Sequence, residues 1–171
     1  MKVLVTYYSQ SGNTEKIAKA IYEESSKSNE ANLKKIDELN PDMIAEYDYI
    51  FIGSPLLSAN IAPKVKECLA NFKETTGQKM AGFITHFAPA YPEQAMNKFT
   101  GPIQEACEKN SIEYKGCFDC TGFLVEANHA PVKKKLQMDD EKWDKFISLI
   151  SGHPDEEDEN NAKLFTKEIL A

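Results

Sequence analysis

The spacing of apolar and polar positions changes repeatedly along this chain. Residues 2–8 (KVLVTYY) form a mostly apolar run, the pattern of a strand buried on both faces. From about residue 14 to 25 the period lengthens, placing Ile17, Ala18 and Ile21 on one face of a predicted helix. Residues 32–36 read as a shorter, weaker strand near a sheet edge, and 47–53 (YDYIFIG) as a strongly apolar one. Pro63 suits a first helical position, with Val65, Cys68, Leu69 and Phe72 following at i, i+3, i+4 and i+7. Residues 79–85 (KMAGFIT) predict another strand. Residues 92–109 predict a helix with Met96, Phe99, Ile103 and Ala106 in register, kinked or divided at Gly101-Pro102. Residues 112–118 alternate as a last strand. Asp139 is placed to cap a helix carrying Trp143, Phe146, Ile147 and Ile150, and 155–171 reads as a terminal helix.

Five strands separated by helices imply an α/β fold of three layers: a parallel sheet with helices on both faces. Right-handed crossovers leave few topologies, and the order 2-1-3-4-5 is the expected one. The 171 residues fit a single domain over 1–171, with residues 122–154 an extra segment before the terminal helix. In that order the crevice opens at the carboxyl ends of the first and third strands, which places residues 9–14 and 54–60 together.

Composition narrows the partners. A formal net charge of −7 disfavours nucleic acid and anionic membranes and suits a basic protein partner. All 20 basic side chains are lysine, so no bidentate guanidinium fork is available to hold a phosphate. No apolar run approaches the roughly 20 residues that cross a bilayer. The start of the chain lacks the features of a signal peptide, and four cysteines without an export signal read as reduced thiols, so a cytoplasmic location is expected.

The loop after the first strand is Ser9-Gln10-Ser11-Gly12-Asn13-Thr14, rich in neutral donors and free of charge. A helix start binds phosphate through its unpaired N–H groups without any cation. Ser9, Ser11 and Thr14 add hydroxyls, and Gly12 permits close approach or a positive φ. GxxxxGK[ST] and GxGxxG are absent, which excludes a nucleoside-triphosphate P-loop and a dinucleotide fingerprint. The acidic residues of a response-regulator receiver and the cysteine and arginine of a low-molecular-weight phosphatase are missing too.

These six residues, between a strand and a helix, resemble the [TS]-x-[TS]-G-x-T loop with which flavodoxins hold the 5′-phosphate of FMN. Gly53-Ser54-Pro55, followed by Leu56, Leu57, Ser58, Ala59 and Asn60 and then Pro63, resembles the family's second flavin loop. Thr85-His86-Phe87-Ala88-Pro89 stands in the place of its third. The resemblance spans about residues 1–120 and the terminal helix, and implies a flavodoxin-like fold with FMN as cofactor. It implies an electron-transfer protein that is a low-potential carrier between reductase or ferredoxin-like partners. The alternative is an FMN-dependent NAD(P)H:quinone-type reductase, and a third reading is a module on this fold that has lost the flavin. Departures matter: Leu56 and Leu57 stand where many flavodoxins stack an aromatic ring, and Ala59 where relatives often have glycine. Phe87 or Tyr91 is left to supply an aromatic wall.

Cys117-Phe118-Asp119-Cys120 has CxxC spacing, but it closes a late strand instead of opening a helix and reads as structural. Cys68 and Cys107 fall on apolar helical faces. His86 is placed to donate to a flavin carbonyl or to be an ordinary polar loop residue; His129 and His153 have no partners at metal spacing in the sequence. Lys133–Lys135 reads as a solvated run, residues 155–159 as acids favouring a helix start, and Trp143 as core. The extra segment has three uses open to it: shielding the flavin, forming a dimer contact, or extending the core.

No lysine lies in the three loops, so negative charge added to a bound ring is opposed in a partly desolvated site. The potential of the second one-electron step of bound FMN is expected well below that of free FMN. Spectroelectrochemistry checks this, and a value at or above that of free FMN contradicts it.

Overall fold

The computed structural model describes residues 1–74, 76–88 and 93–171. Among them run β1 (Lys2–Tyr7), β2 (Glu30–Lys35), β3 (Tyr49–Pro55), β4 (Lys79–His86) and β5 (Glu113–Thr121). They form one parallel sheet in the order β2-β1-β3-β4-β5, as expected. The crossovers carry α1 (Asn13–Ser25), α2 (Pro63–Ala70) and α3 (Glu93–Lys109). After β5 come α4 (His129–Leu136), α5 (Asp140–Ile150) and α6 (Glu156–Leu170).

Strand alternation divides the core in two. Leu4, Ile50, Ile52, Met80 and Ile84 face α2 and α3, meeting Val65, Leu69 and Ile103. Val3, Val5, Tyr49, Phe51, Ala81 and Phe83 face the other way, against Ile17, Ala18 and Ile21 of α1 and Ala162 of α6. Burial of both faces explains why the central strands read as continuous apolar runs. Gly53 has a packing reason of its own: a β-carbon there would stand 2.1 Å from the Phe83 ring, which lies across the neighbouring strand.

Several boundaries differ from the expectations. β2 starts two residues earlier than read, and β3 runs on to Pro55. β5 continues to Thr121 because its backbone keeps pairing with β4 past the polar Asp119, after a register shift near Gly116, whose φ is +99°. The helix expected to kink or divide at Gly101-Pro102 is not divided there and runs as one element over Glu93–Lys109, with Pro102 inside it; the expected start at Pro92 lies outside the described residues. α4 has no counterpart in the periodicity reading.

The segment between β5 and α6 builds a third, small core from Leu124, Trp143 and Ile150, flanked by Phe87, Val132, Met138, Phe146 and Ile147. Asp139 caps α5 by accepting from the Lys142 N–H at 2.8 Å. α6 opens on a reciprocal cap, in which Asp155 accepts from the Asp158 N–H at 3.0 Å and Asp158 from the Asp155 N–H at 2.8 Å. His153 Nδ1 lies 2.6 Å from the same Asp158 carboxylate.

That hydrogen bond, aided by the charges of Asp158, Asp155 and Glu157, outweighs burial and raises the His153 pKa. A raised folded value stabilises the native state fully below the ordinary pKa of about 6.5, and the contribution is lost as pH rises through the folded value. The stability difference between wild type and His153→Gln should therefore be largest near pH 6 and shrink as pH rises. Thermal melts across that range would show it; a difference that grows with pH would contradict the assignment.

Candidate functional site

The carboxyl ends of β1, β3 and β4 meet at one edge of the sheet, and each contributes differently. After β1, Gly12 takes φ +91°, a left-handed turn open to glycine, and lets α1 start at Asn13. The first intrahelical bond runs from the Lys16 N–H to the Gly12 carbonyl at 2.9 Å, so the N–H groups of Asn13, Thr14 and Glu15 lie ahead of it. Ser9 Oγ accepts from the Gly12 N–H at 3.1 Å and keeps its own proton to donate. Thr14 is buried, its Oγ1 2.8 Å from Thr85 Oγ1 at the end of β4. That pair binds the first loop to the third, leaving one of the two hydroxyl protons free to donate.

Asn13 is 4 % exposed. Its Nδ2 donates to the Phe123 carbonyl at 2.8 Å, while its buried Oδ1 has no hydrogen-bond partner. The Asn13 amide is therefore committed to the extra segment, and what it offers inward is an acceptor. Gly122 abuts this side chain so closely that a β-carbon would lie 2.6 Å from Nδ2.

After β3 the chain makes a hairpin. Leu56 and Ile61 form an antiparallel bridge, and Leu57 and Asn60 exchange N–H···O bonds of 2.7 and 3.2 Å. Ser58 and Ala59 at the tip both have positive φ, +52° and +60°. Two left-handed residues in succession make the primed turn that fits a two-residue hairpin, usually built from Asn-Gly. Ser54 anchors its base by accepting from the Ala62 N–H and donating to the Pro55 carbonyl, each at 2.8 Å.

The end of β4 separates the residues expected to act together. Thr85 and Phe87 face the cleft. His86 turns to the opposite face, buried, with Nε2 3.0 Å from Asp119 Oδ2 on β5. Ala88 accepts from the Thr121 hydroxyl at 3.1 Å. Pro89 and Tyr91 lie outside the described residues.

These edges enclose a cleft of about 570 Å³. Gln10, Ser11 and Asn13 line one side, and Pro55, Leu56 and Leu57 another, with Thr85 and Phe87 between them. The remaining side comes from the extra segment through Leu124, Val125, Asn128, Pro131 and Val132, none of which the sequence reading had placed there. Every one of these lining side chains is uncharged. The CxxC pair stands apart: three residues along a strand reverse the side, so Cys117 packs with the α2/α3 core and Cys120 with the α1/α6 core. Burial pushes both thiols up, against thiolate chemistry.

The flavodoxin-domain family matches residues 4–167, and the chain belongs to it. An uncharacterized protein of Methanocaldococcus jannaschii is 30% identical over 171 residues, covering 99% of both chains. The flavodoxin-like domain-containing protein BilS of Clostridioides difficile is 31% identical over 180 residues, with 99% of this chain and 97% of that one aligned. Among solved structures, oxidised flavodoxin 2 from Bacillus cereus superposes with a TM-score of 0.68 at 20% identity, over 99% of this chain and 98% of that one, a likeness of fold. Among the described residues no helix is long and apolar enough to cross a membrane.

Ala59→Gly should stabilise the ligand-free protein by roughly 0.5–1 kcal/mol. Relief of about 1–2 kcal/mol of left-handed strain exceeds the roughly 0.5–1 kcal/mol that glycine adds in chain entropy. Urea denaturation measures it, and a destabilised variant would show that the tip is not strained at this residue.

Proposed function

We propose that the chain binds FMN in this cleft and carries electrons between larger redox proteins. The observation that supports this most is the cleft's division of labour. A helix start whose first N–H groups precede the intrahelical bonds, with hydroxyls beside it, lies at one end, and uncharged, largely apolar walls make up the remainder. The first suits a phosphate held without a cation; the second suits a flat aromatic ring.

The residues fit the group on two further counts. Asn13 Oδ1, buried and unpartnered beside the cleft, would accept a hydrogen bond from a ribityl hydroxyl. Ser9, Ser11, Gly12 and the N–H groups of Asn13 and Thr14 would hold the phosphate, with Thr14 acting also through Thr85. Leu56, Leu57 and Phe87 would bury the ring, with Val125 and Val132 closing the outer side. FMN, when bound, supplies the capacity to take up and release electrons singly. The protein's part is to hold it, keep water from most of it, and leave a docking surface.

The carrier reading is preferred to a reductase because it asks only for a bound flavin and a docking surface, and a net charge of −7 suits a basic protein partner. Redox partner proteins, a cytoplasmic setting and a basic docking partner belong to the same reading.

Purified protein is expected to take up FMN more tightly than riboflavin. Ser9→Ala should lose roughly 1–2 kcal/mol of FMN affinity and little riboflavin affinity, the usual size of a charge-assisted bond. Thr14→Ala should cost both affinity and stability, since it breaks the link to Thr85. Equal losses for the two ligands in Ser9→Ala would move the phosphate out of this loop. Loaded protein should leave NADH and NADPH unconsumed when mixed alone with them; repeated turnovers with NAD(P)H and a quinone would establish the reductase instead.

A further inference from the structure

α4 meets the cleft along a single stripe. Asn128, Pro131, Val132 and Lys135 stand at i, i+3, i+4 and i+7, the spacing of one helical face. The first three line the cleft, and the Lys135 Nζ donates to Ser58 Oγ at 3.3 Å. This bond joins residues 77 apart in sequence and reaches the left-handed tip of the hairpin.

The neighbouring lysines differ. Lys133 pairs with Asp140. Lys134 is exposed and lies a helical step of about 100° round from Lys135. Among the described residues Lys135 forms no ion pair; its hydrogen-bond partner, Ser58, is a neutral hydroxyl, so no carboxylate offsets its charge at that point. The described cleft lining is neutral throughout. Lys135 therefore brings a full positive charge to the mouth of an otherwise uncharged cleft, in a chain whose net charge is −7.

We propose that Lys135 tunes the redox potential of a flavin held in this cleft, by fixing the strained hairpin tip and placing a cation where the fully reduced, anionic ring benefits from it. The proposal rests on the FMN reading given above. A cation near a ring that gains negative charge favours the more reduced form and raises the potential. Lys135 thus partly offsets the lowering expected from a neutral cleft in an acidic chain. Because the ammonium is exposed, the effect is screened by salt.

The test is spectroelectrochemistry of the full FMN-loaded chain as wild type, Lys135→Met, Lys135→Arg and Lys134→Met, each at low and high salt. Lys135→Met is expected to shift the second one-electron step about threefold toward the less reduced form. That corresponds to a potential roughly 30 mV lower, at 59 mV per tenfold for a one-electron couple. Lys135→Arg should restore most of the shift, Lys134→Met should move it far less, and the Lys135→Met gap should narrow at high salt. A Lys135→Met potential equal to wild type, or an equal shift in Lys134→Met, overturns the proposal. Wild-type protein that takes up no FMN overturns the FMN reading and this proposal together. FMN-loaded protein with an unmoved Lys135→Met potential overturns this proposal alone.

Discussion

A parallel sheet buried on both faces is the constraint on which the rest of this molecule depends. Its strands run in one direction, so each connection crosses a face of the sheet, through α1, α2 or α3 or through the short 3-10 turns between β2 and β3, and each strand delivers its following loop to the same edge. Phe51 and Phe83 on one side and Ile50, Ile52 and Ile84 on the other need no polar partner, and they fix the register. The loops after β1, β3 and β4 can then carry groups that would destabilise an interior. These include a left-handed Gly12, two left-handed residues at 58 and 59, and an acceptor on Asn13 without a partner.

The loops are also joined directly to one another. Thr14 to Thr85 couples the first to the third, the Leu56 N–H bonds the Thr85 carbonyl at 2.9 Å to couple the second to the third, and Asn13 to Phe123 couples α1 to the extra segment. A group bound between them meets a surface whose parts are already positioned, which lowers the ordering cost of binding. The Gly122 backbone lies against Asn13, so the extra segment reaches the sheet edge by close approach of main chain to side chain.

What was legible in the sequence follows from how local each signal is. The strands and helices of the first 120 residues follow from apolar periodicity, since burial on one or two faces writes itself into the spacing of Val3, Ile17, Phe51 or Val65, and the sheet order from the handedness of the crossovers. The first loop was readable because its small polar residues sit at a strand-to-helix junction. The hairpin was not, because Ser-Ala at its tip lacks the Asn-Gly that normally announces such a turn. His86, expected either to donate to a flavin carbonyl or to be an ordinary polar loop residue, ends β4, and one step of strand alternation sends it to Asp119. α4 escaped notice because HAPVKKKL has little apolar content. Its role as a cleft wall comes from tertiary placement, with Pro131 and Val132 lining the same cleft as Leu57 and Phe87. The end of β5 was set short because Asp119 interrupts the apolar alternation on an edge strand, where backbone pairing persists regardless.

Trp143, the one tryptophan of the chain, lies in the small core of the extra segment and not beneath the sheet. It stacks edge-on against His129 at 5.5 Å, the first residue of α4, whose far end holds Ser58. Indole emission therefore reports on the satellite core and its wall over the cleft, whereas peptide circular dichroism reports chiefly on the sheet and the helices packed on it. The two optical signals look at different parts of one chain. A protein in which the satellite loosened while the sheet stayed whole would show it as a fluorescence change with no matching loss of ellipticity.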